Sequence, residues 1–131
     1  MNDIGSRKDQ KLKILTQILK KIKIEGKLKG VLLSFREGSI ISENLTEECP
    51  QFNADEFSSM CASALESIIG LGKTIGGKTF NKAVVELEHY TIIIIVCDEK
   101  TFLSLILNEN SKINNLFTNI EDYIRKLRLL Y

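Results

Sequence analysis

Apolar and polar positions along this chain repeat with two periods, one helical and one of two residues. Over residues 53–75, at 100° of rotation per residue, Phe57, Met60, Cys61, Ala64, Leu65, Ile68, Ile69, Leu71 and Ile75 fall on one side of a helix. Such an arc is broad enough to lie flat on a sheet. Asn53 suits the N-cap, Glu56 three residues on can complete a capping box, and Gly76-Gly77 supplies residues that end helices. The opposite side carries Ser59, Ala62, Ser63, Glu66, Gly70 and Lys73, most of them small. Two readings fit that face: a solvated, serine-rich surface, or close approach of a second backbone.

The other elements follow in order. Residues 1–7 are expected to be a disordered start, and residues 8–131 a single domain. Over 8–24, Leu12, Leu15, Ile18, Leu19 and Ile22 form one helical stripe with Lys13, Lys20 and Lys21 outside it, and Gly26 ends the helix. Residues 28–35 read as a strand apolar on both faces. Arg36-Glu37-Gly38 is a turn, and 39–42 a short returning strand. A polar loop with the only proline, Pro50, leads to the long helix. Residues 79–88 then alternate, as a half-exposed strand does. His89-Tyr90 is a tight connection. Residues 91–97 are an almost unbroken β-branched run, Asp98-Glu99-Lys100 a turn, and 101–107 a further apolar strand. Ser111 is placed to cap a last helix, whose stripe is Ile113, Leu116, Phe117, Ile120, Ile124, Leu127 and Leu130.

The order is α-β-β-α-β-β-β-α. Three strands joined by tight turns make an antiparallel meander. Strands 28–35, 91–97 and 101–107 are apolar on both faces and belong in the middle. Strands 39–42 and 79–88 belong at the edges. The predicted class is α/β of the α+β kind: a five-stranded antiparallel sheet sandwiched between one central helix and two terminal helices, its first and last strands adjacent.

Composition narrows the function classes. The formal net charge is +1, yet residues 1–29 hold nine Lys or Arg against three acids, leaving +6 there and −5 in the remainder. A basic arm on an acidic body is either a solvated helix face or a steering surface for an acidic partner or lipid, so peripheral membrane contact through the N-terminal helix stays open. The arm has no interleaved aromatics, which speaks against nucleic acid. No apolar run reaches the roughly 20 residues of a membrane span, and the N-terminus lacks a secretory apolar core. A cytoplasmic location is expected. Cys49, Cys61 and Cys97 have no metal-ligand spacing and His89 is the single histidine, so reduced thiols and no metal are expected.

One motif invites a nucleotide. Gly72-Lys73-Thr74-Ile75-Gly76-Gly77-Lys78-Thr79 matches GxxxxGK[ST] letter for letter. A P-loop works because a strand leads into a loop that opens a helix, whose N–H groups face phosphate. Here a helix leads in and a strand leads out, and a helix C-terminus repels phosphate. Nor does any serine, cysteine or carboxylate have a base or acid partner in view. No cofactor and no catalytic residue are expected.

The runs GVLLSFREGSII (residues 30–41) and VVELEHYTIIII (residues 84–95), together with the element order, resemble the Roadblock family over nearly the whole chain. Bacterial gliding-motility GTPase regulators, dynein light chains and lysosomal scaffold subunits are members. The resemblance implies a non-enzymatic, dimeric scaffold or regulator that binds a Ras-like small GTPase. It implies a homodimer, or a heterodimer with a paralogous Roadblock subunit, made by the central helix and the third strand. In this chain that points to Ser59, Ala62, Ser63, Glu66 and Gly70 on the helix and Lys82, Val84 and Glu86 on the strand. The rival readings are a monomeric profilin-like or longin-type binding or sensory module, and a P-loop nucleotide hydrolase.

The reversed context of Gly77-Lys78-Thr79 gives a direct prediction. Titration with fluorescent ATP or GTP and magnesium should show no saturable micromolar binding, and Lys78→Ala should change nothing. Micromolar affinity that Lys78→Ala abolishes would reinstate the phosphate site.

Overall fold

The computed structural model describes residues 3–46, 52–77 and 81–131. Its elements are α1 (Asp3–Gly26), β1 (Gly30–Phe35), β2 (Ile40–Leu45), α2 (Ala54–Thr74), β3 (Lys82–Glu86), β4 (Thr91–Val96), β5 (Thr101–Leu107) and α3 (Ile113–Leu130). All sheet pairings are antiparallel, in the order β2-β1-β5-β4-β3. The doubly apolar strands are central and the two weaker ones are edges, as their patterns require.

Successive side chains point to opposite faces of a strand, and here the parity is consistent. Val31, Leu33, Ile93, Ile95, Leu103, Leu105 and Leu107 face α1 and α3, where Leu15, Leu19, Ile22, Leu116, Ile124 and Leu127 meet them. Ile94 and Phe102 face the other way and pack with Cys61, Ala62 and Leu65 of α2. Register holds the parity across the sheet: Leu33 lies opposite Leu103, and Ile94 opposite Ser104. Glu25 ties α1 to α3 by accepting hydrogen bonds from the Asn119 amide and the Tyr123 hydroxyl. The bond to Glu25 pushes the Tyr123 phenol up to about 12.

A buried polar brace fixes α2 to the first hairpin. The Ser58 hydroxyl donates to the Gly38 carbonyl at 2.6 Å, and Ser34 Oγ lies 2.6 Å from Ser58 Oγ. Because Ser58 has one proton and spends it on Gly38, Ser34 is the donor in the second bond. Both serines are fully buried. Gly38 has φ +111°, and a Cβ there would stand 3.1 Å from the Ser59 Cα. Glycine is therefore demanded twice, by the turn and by the helix lying against it. A bulge between Leu33 and Ser34 re-aims the hairpin as it reaches α2.

Several boundaries differ from the sequence pattern, each for a reason. Helix α1 begins at Asp3 rather than residue 8, since its stripe starts only at Leu12 and carries no signal for the first turns. Strand β2 runs on through Glu43 and Asn44 to Leu45, because pairing with β1 as far as Gly30 outweighs their polarity. The second hairpin turns at Glu88-His89, one residue earlier than expected, with Leu87 N–H donating to Tyr90 C=O at 2.8 Å. Ser111 does not cap α3. Lys112 is the N-cap without a side-chain bond, while the Ser111 hydroxyl donates to the Lys27 carbonyl and accepts from Asn108 N–H. Asn53 caps α2 as predicted, accepting from Glu56 N–H at 3.0 Å.

The β4–β5 turn is held by Asp98, whose Oδ1 accepts from the N–H groups of Lys100 and Thr101 at 2.8 Å and from the Thr101 hydroxyl at 3.0 Å. Partial burial works against its charge, but these donors and nearby Arg128 prevail and hold the carboxyl below the usual range.

The brace and the turn can each be tested by removing one group. Ser58→Ala should cost about 1–3 kcal/mol in urea unfolding, because it strands Ser34 and the Gly38 carbonyl in the core. Asp98→Ala should cost about 1–2 kcal/mol at neutral pH. A depressed folded pKa stabilises above the unfolded carboxyl value near 4 and is lost as pH falls through the folded value. The gap between Asp98→Ala and wild type, followed by thermal unfolding, should therefore close in acid and stay constant above about pH 5.

Candidate interaction surface

Helix α2 presents three surfaces. Its inner line is Ser58, Cys61, Ala62, Leu65 and Ile69, set on β4 and β5. One flank meets the first hairpin: Ser59 lies against Gly38, and Glu66 accepts from the Arg36 guanidinium at 3.1 Å. The opposite flank carries Phe57, Met60, Ala64, Ile68, Leu71 and Ile75 at helical spacing. Because the first flank faces β1 and β2, this second one is turned toward the β3 edge. Met60, Leu71 and Ile75 are 66%, 64% and 70% exposed.

Beside that flank lies β3, paired on one side only, with β4. Its outer side therefore offers unpaired backbone groups, as an edge strand does. Register assigns its side chains to faces. Ala83 and Val85 share the α2 side with Ile94 and Ile92, while Lys82 and Val84 share the α1–α3 side with Ile95 and Ile93. The Lys82 ammonium sits 4.2 Å from the centre of the Phe117 ring. Val84, Val85 and Leu87 are all exposed. Val85 and Leu87 thus share the sheet face of the α2 stripe, Val84 lies on the opposite face, and the unpaired backbone of β3 runs along the border between them.

Measured against the sequence expectation, the helix is rotated. Ala62, expected to face outward, is 5% exposed and part of the core. Met60, Leu71 and Ile75, expected on the sheet, stand in solvent. A single helix covers less sheet than the apolar arc could, so the arc divides into a buried line and an exposed stripe, and Ser58 replaces an apolar residue on the buried line to make the brace. Ser59, Ser63, Glu66 and Gly70 are exposed, and so are Lys82, Val84 and Glu86. Among these helix residues, Ser59 and Glu66 already touch the chain's own hairpin. The apolar stripe was the part that sequence reasoning missed. A width limit on the core arc would have found it, because nine apolar positions are more than one buried line can hold.

Chemical groups are sparse here. Among the described residues no three of His, Cys, Asp and Glu come together as a metal would require. Glu88 and His89 lie 3.8 Å apart at the tip of the second hairpin, where both side chains stand in solvent. Cys61 and Cys97 are unpaired and buried. Burial, then the adjacent Asp98 charge, pushes the Cys97 thiol up to about 12, and burial raises Cys61 as well. Neither is available as a nucleophile. Cys49, Lys78 and Thr79 lie outside the described residues. Helix α2 does precede the Gly76-Gly77 segment and β3 follows it, which is the reverse of a phosphate-binding loop.

The family model of the Roadblock/LC7 domain matches residues 15–108. Among solved structures, MglB in a tetrameric arrangement has a TM-score of 0.79 at 18% identity, covering 88% of this chain and 85% of that one. The gliding protein MglB of Thermus thermophilus has a TM-score of 0.78 at 17% identity, with 88% and 86% covered. A Roadblock/LC7 domain from Streptomyces avermitilis has 0.74 at 15% identity, with 86% and 92% covered. At such identities the likeness is one of fold. No curated protein matches the sequence significantly.

Proposed function

This chain belongs to the Roadblock/LC7 domain family, and on that premise we propose that it is a non-enzymatic scaffold or regulator that pairs with a second copy, or with a paralogous Roadblock subunit, and docks a Ras-like small GTPase. Family membership and the MglB-like fold support a regulatory, GTPase-associated scaffold role. The observation that carries the finer reading is the exposed stripe of Met60, Leu71 and Ile75 beside the one-sided edge of β3. An isolated exposed apolar residue needs no explanation, but a stripe along one helix flank marks an interface.

In the proposed dimer the stripes of two α2 helices pack together and two β3 edges join. Ala64 keeps the middle of the stripe narrow, and Ser63, Ser67 and Gly70 border it on the solvent side. Lys82, Val84 and Glu86 take part through the strand. Ser59 and Glu66 serve the hairpin, and Ala62 serves the core. The GTPase-binding surface belongs to the assembled pair. A cytoplasmic location suits the unpaired thiols of Cys61 and Cys97.

The test uses Met60→Glu and Leu71→Glu. A twofold interface meets each substitution twice, so either variant should weaken the dimer by at least about tenfold in sedimentation equilibrium, or about 1.4 kcal/mol. Both positions are exposed in the single chain, so far-UV circular dichroism should not change. A wild type that stays monomeric at high concentration would favour the profilin-like or longin-type reading instead. Retention of a GTP-loaded Ras-like GTPase by wild type, and its loss in Leu71→Glu, would tie docking to the assembled pair.

A further inference from the structure

The sheet face opposite α2 is covered by α1 and α3, and their outward surface is chemically distinct from the rest of the molecule. Lys13, Lys20, Lys21 and Lys27 are exposed along the outer side of α1 and the turn that follows it. Among the described residues, no ion pair engages any of them. Apolar side chains stand among them. Ile14 and Leu129 line a shallow depression between α1 and α3 whose rim includes Lys21 and Lys126. Ile24 lines another, beside Lys20, Lys23 and Lys27. Leu129 is 83% exposed and Ile24 64%. The acids on this side are few or already engaged: Glu25 is held by Asn119 and Tyr123, Asp122 pairs with Arg125 at 3.1 Å, and Asp9 and Glu121 remain.

We propose that this α1–α3 surface docks on an anionic lipid surface, the lysines lying at the headgroups and Ile14, Ile24 and Leu129 entering the headgroup boundary. Charge complementarity selects a negative partner, since the basic excess of the chain lies in its first 29 residues while the remainder is acidic. The apolar pattern selects lipid. Ile14 and Leu129 line one shallow depression and Ile24 another, so the apolar side chains stand singly among the lysines rather than as one apolar patch. A soft interface accepts single apolar side chains between charged heads, whereas a protein partner would need matching pockets. Because no described helix is long and apolar enough to cross a membrane, the association is peripheral and reversible. The contact lies on the opposite sheet face from the α2 stripe and does not depend on the dimer.

The experiment is co-sedimentation with vesicles of phosphatidylcholine alone and of phosphatidylcholine with about one-third phosphatidylglycerol, at low and raised salt. Wild type should sediment with the anionic vesicles, and raised salt should release it. Lys13→Glu with Lys21→Glu should weaken binding by at least about tenfold, since each lysine near an anionic surface accounts for roughly fivefold. Ile24→Ser with Leu129→Ser should weaken vesicle binding while leaving salt-dependent binding to polyglutamate unchanged. All four positions are exposed, and circular dichroism checks that the variants fold. Equal binding to neutral and anionic vesicles, or none to either, would overturn the proposal. So would full vesicle binding by the Ile24→Ser, Leu129→Ser variant, which would leave the apolar side chains without a part in docking.

Discussion

Strands β1, β4 and β5 are apolar on both faces, and the rest of the fold answers to that constraint. Five strands about 4.8 Å apart make a sheet roughly 20–24 Å wide. A helix with its side chains is about 10–12 Å across. The pair α1 and α3 can therefore cover nearly a whole face. Alone on the other face, α2 covers two or three strands. It lies over β4 and β5 and reaches the β1–β2 hairpin through its flank. An uncovered border toward β3 follows from having three helices rather than four, and the exposed apolar stripe of α2 lies along that border.

The polar brace decides which border stays open. Ser58, buried between Ser34 and the Gly38 carbonyl, holds α2 toward the first hairpin. Broken by removal of one member, such a brace leaves buried groups without partners, so it specifies the helix position more sharply than apolar packing, which tolerates rotation. Glycine at 38 lets the hairpin come up against the helix backbone. Arg36 and Glu66 reinforce the same side, though an exposed pair of this kind contributes little. With the helix committed to the hairpin, Met60, Leu71 and Ile75 have no sheet beneath them.

Much of this was legible in the chain because period and two-sidedness are strong signals. The doubly apolar runs 28–35, 91–97 and 101–107 put those strands in the middle, and with them the adjacency of β1 and β5. Asn53 and Glu56 marked the start of α2. The rotation of α2 was not legible, because periodicity gives an apolar arc without saying how much of it a neighbour can cover. Nor does a serine announce that it is a core residue: Ser58 looks in sequence like its exposed neighbour Ser59. Its burial depends on a partner 24 positions away in the chain. Ser111 failed as a cap for the same reason, its hydroxyl being drawn to Lys27 at a separation of 84. Local pattern reads what neighbours in sequence decide, and long-range hydrogen bonds lie beyond it.

The two outer surfaces are related by the geometry of the proposed pair. For two α2 stripes to touch while two β3 edges join, both α2 helices must lie on the same side of the combined sheet. The twofold axis then runs perpendicular to the sheet. It follows that the α1–α3 surfaces of both subunits face the other way, together. Lysines that bind an anionic surface weakly in one copy would act in parallel in two, and the second contact would be intramolecular. The α2 side would remain turned away from that surface, clear for a GTPase. In this arrangement the sheet acts as a partition. Its doubly apolar strands give it two covered faces of different chemistry, and the basic arm and apolar stripe are separated because they cover opposite sides of it.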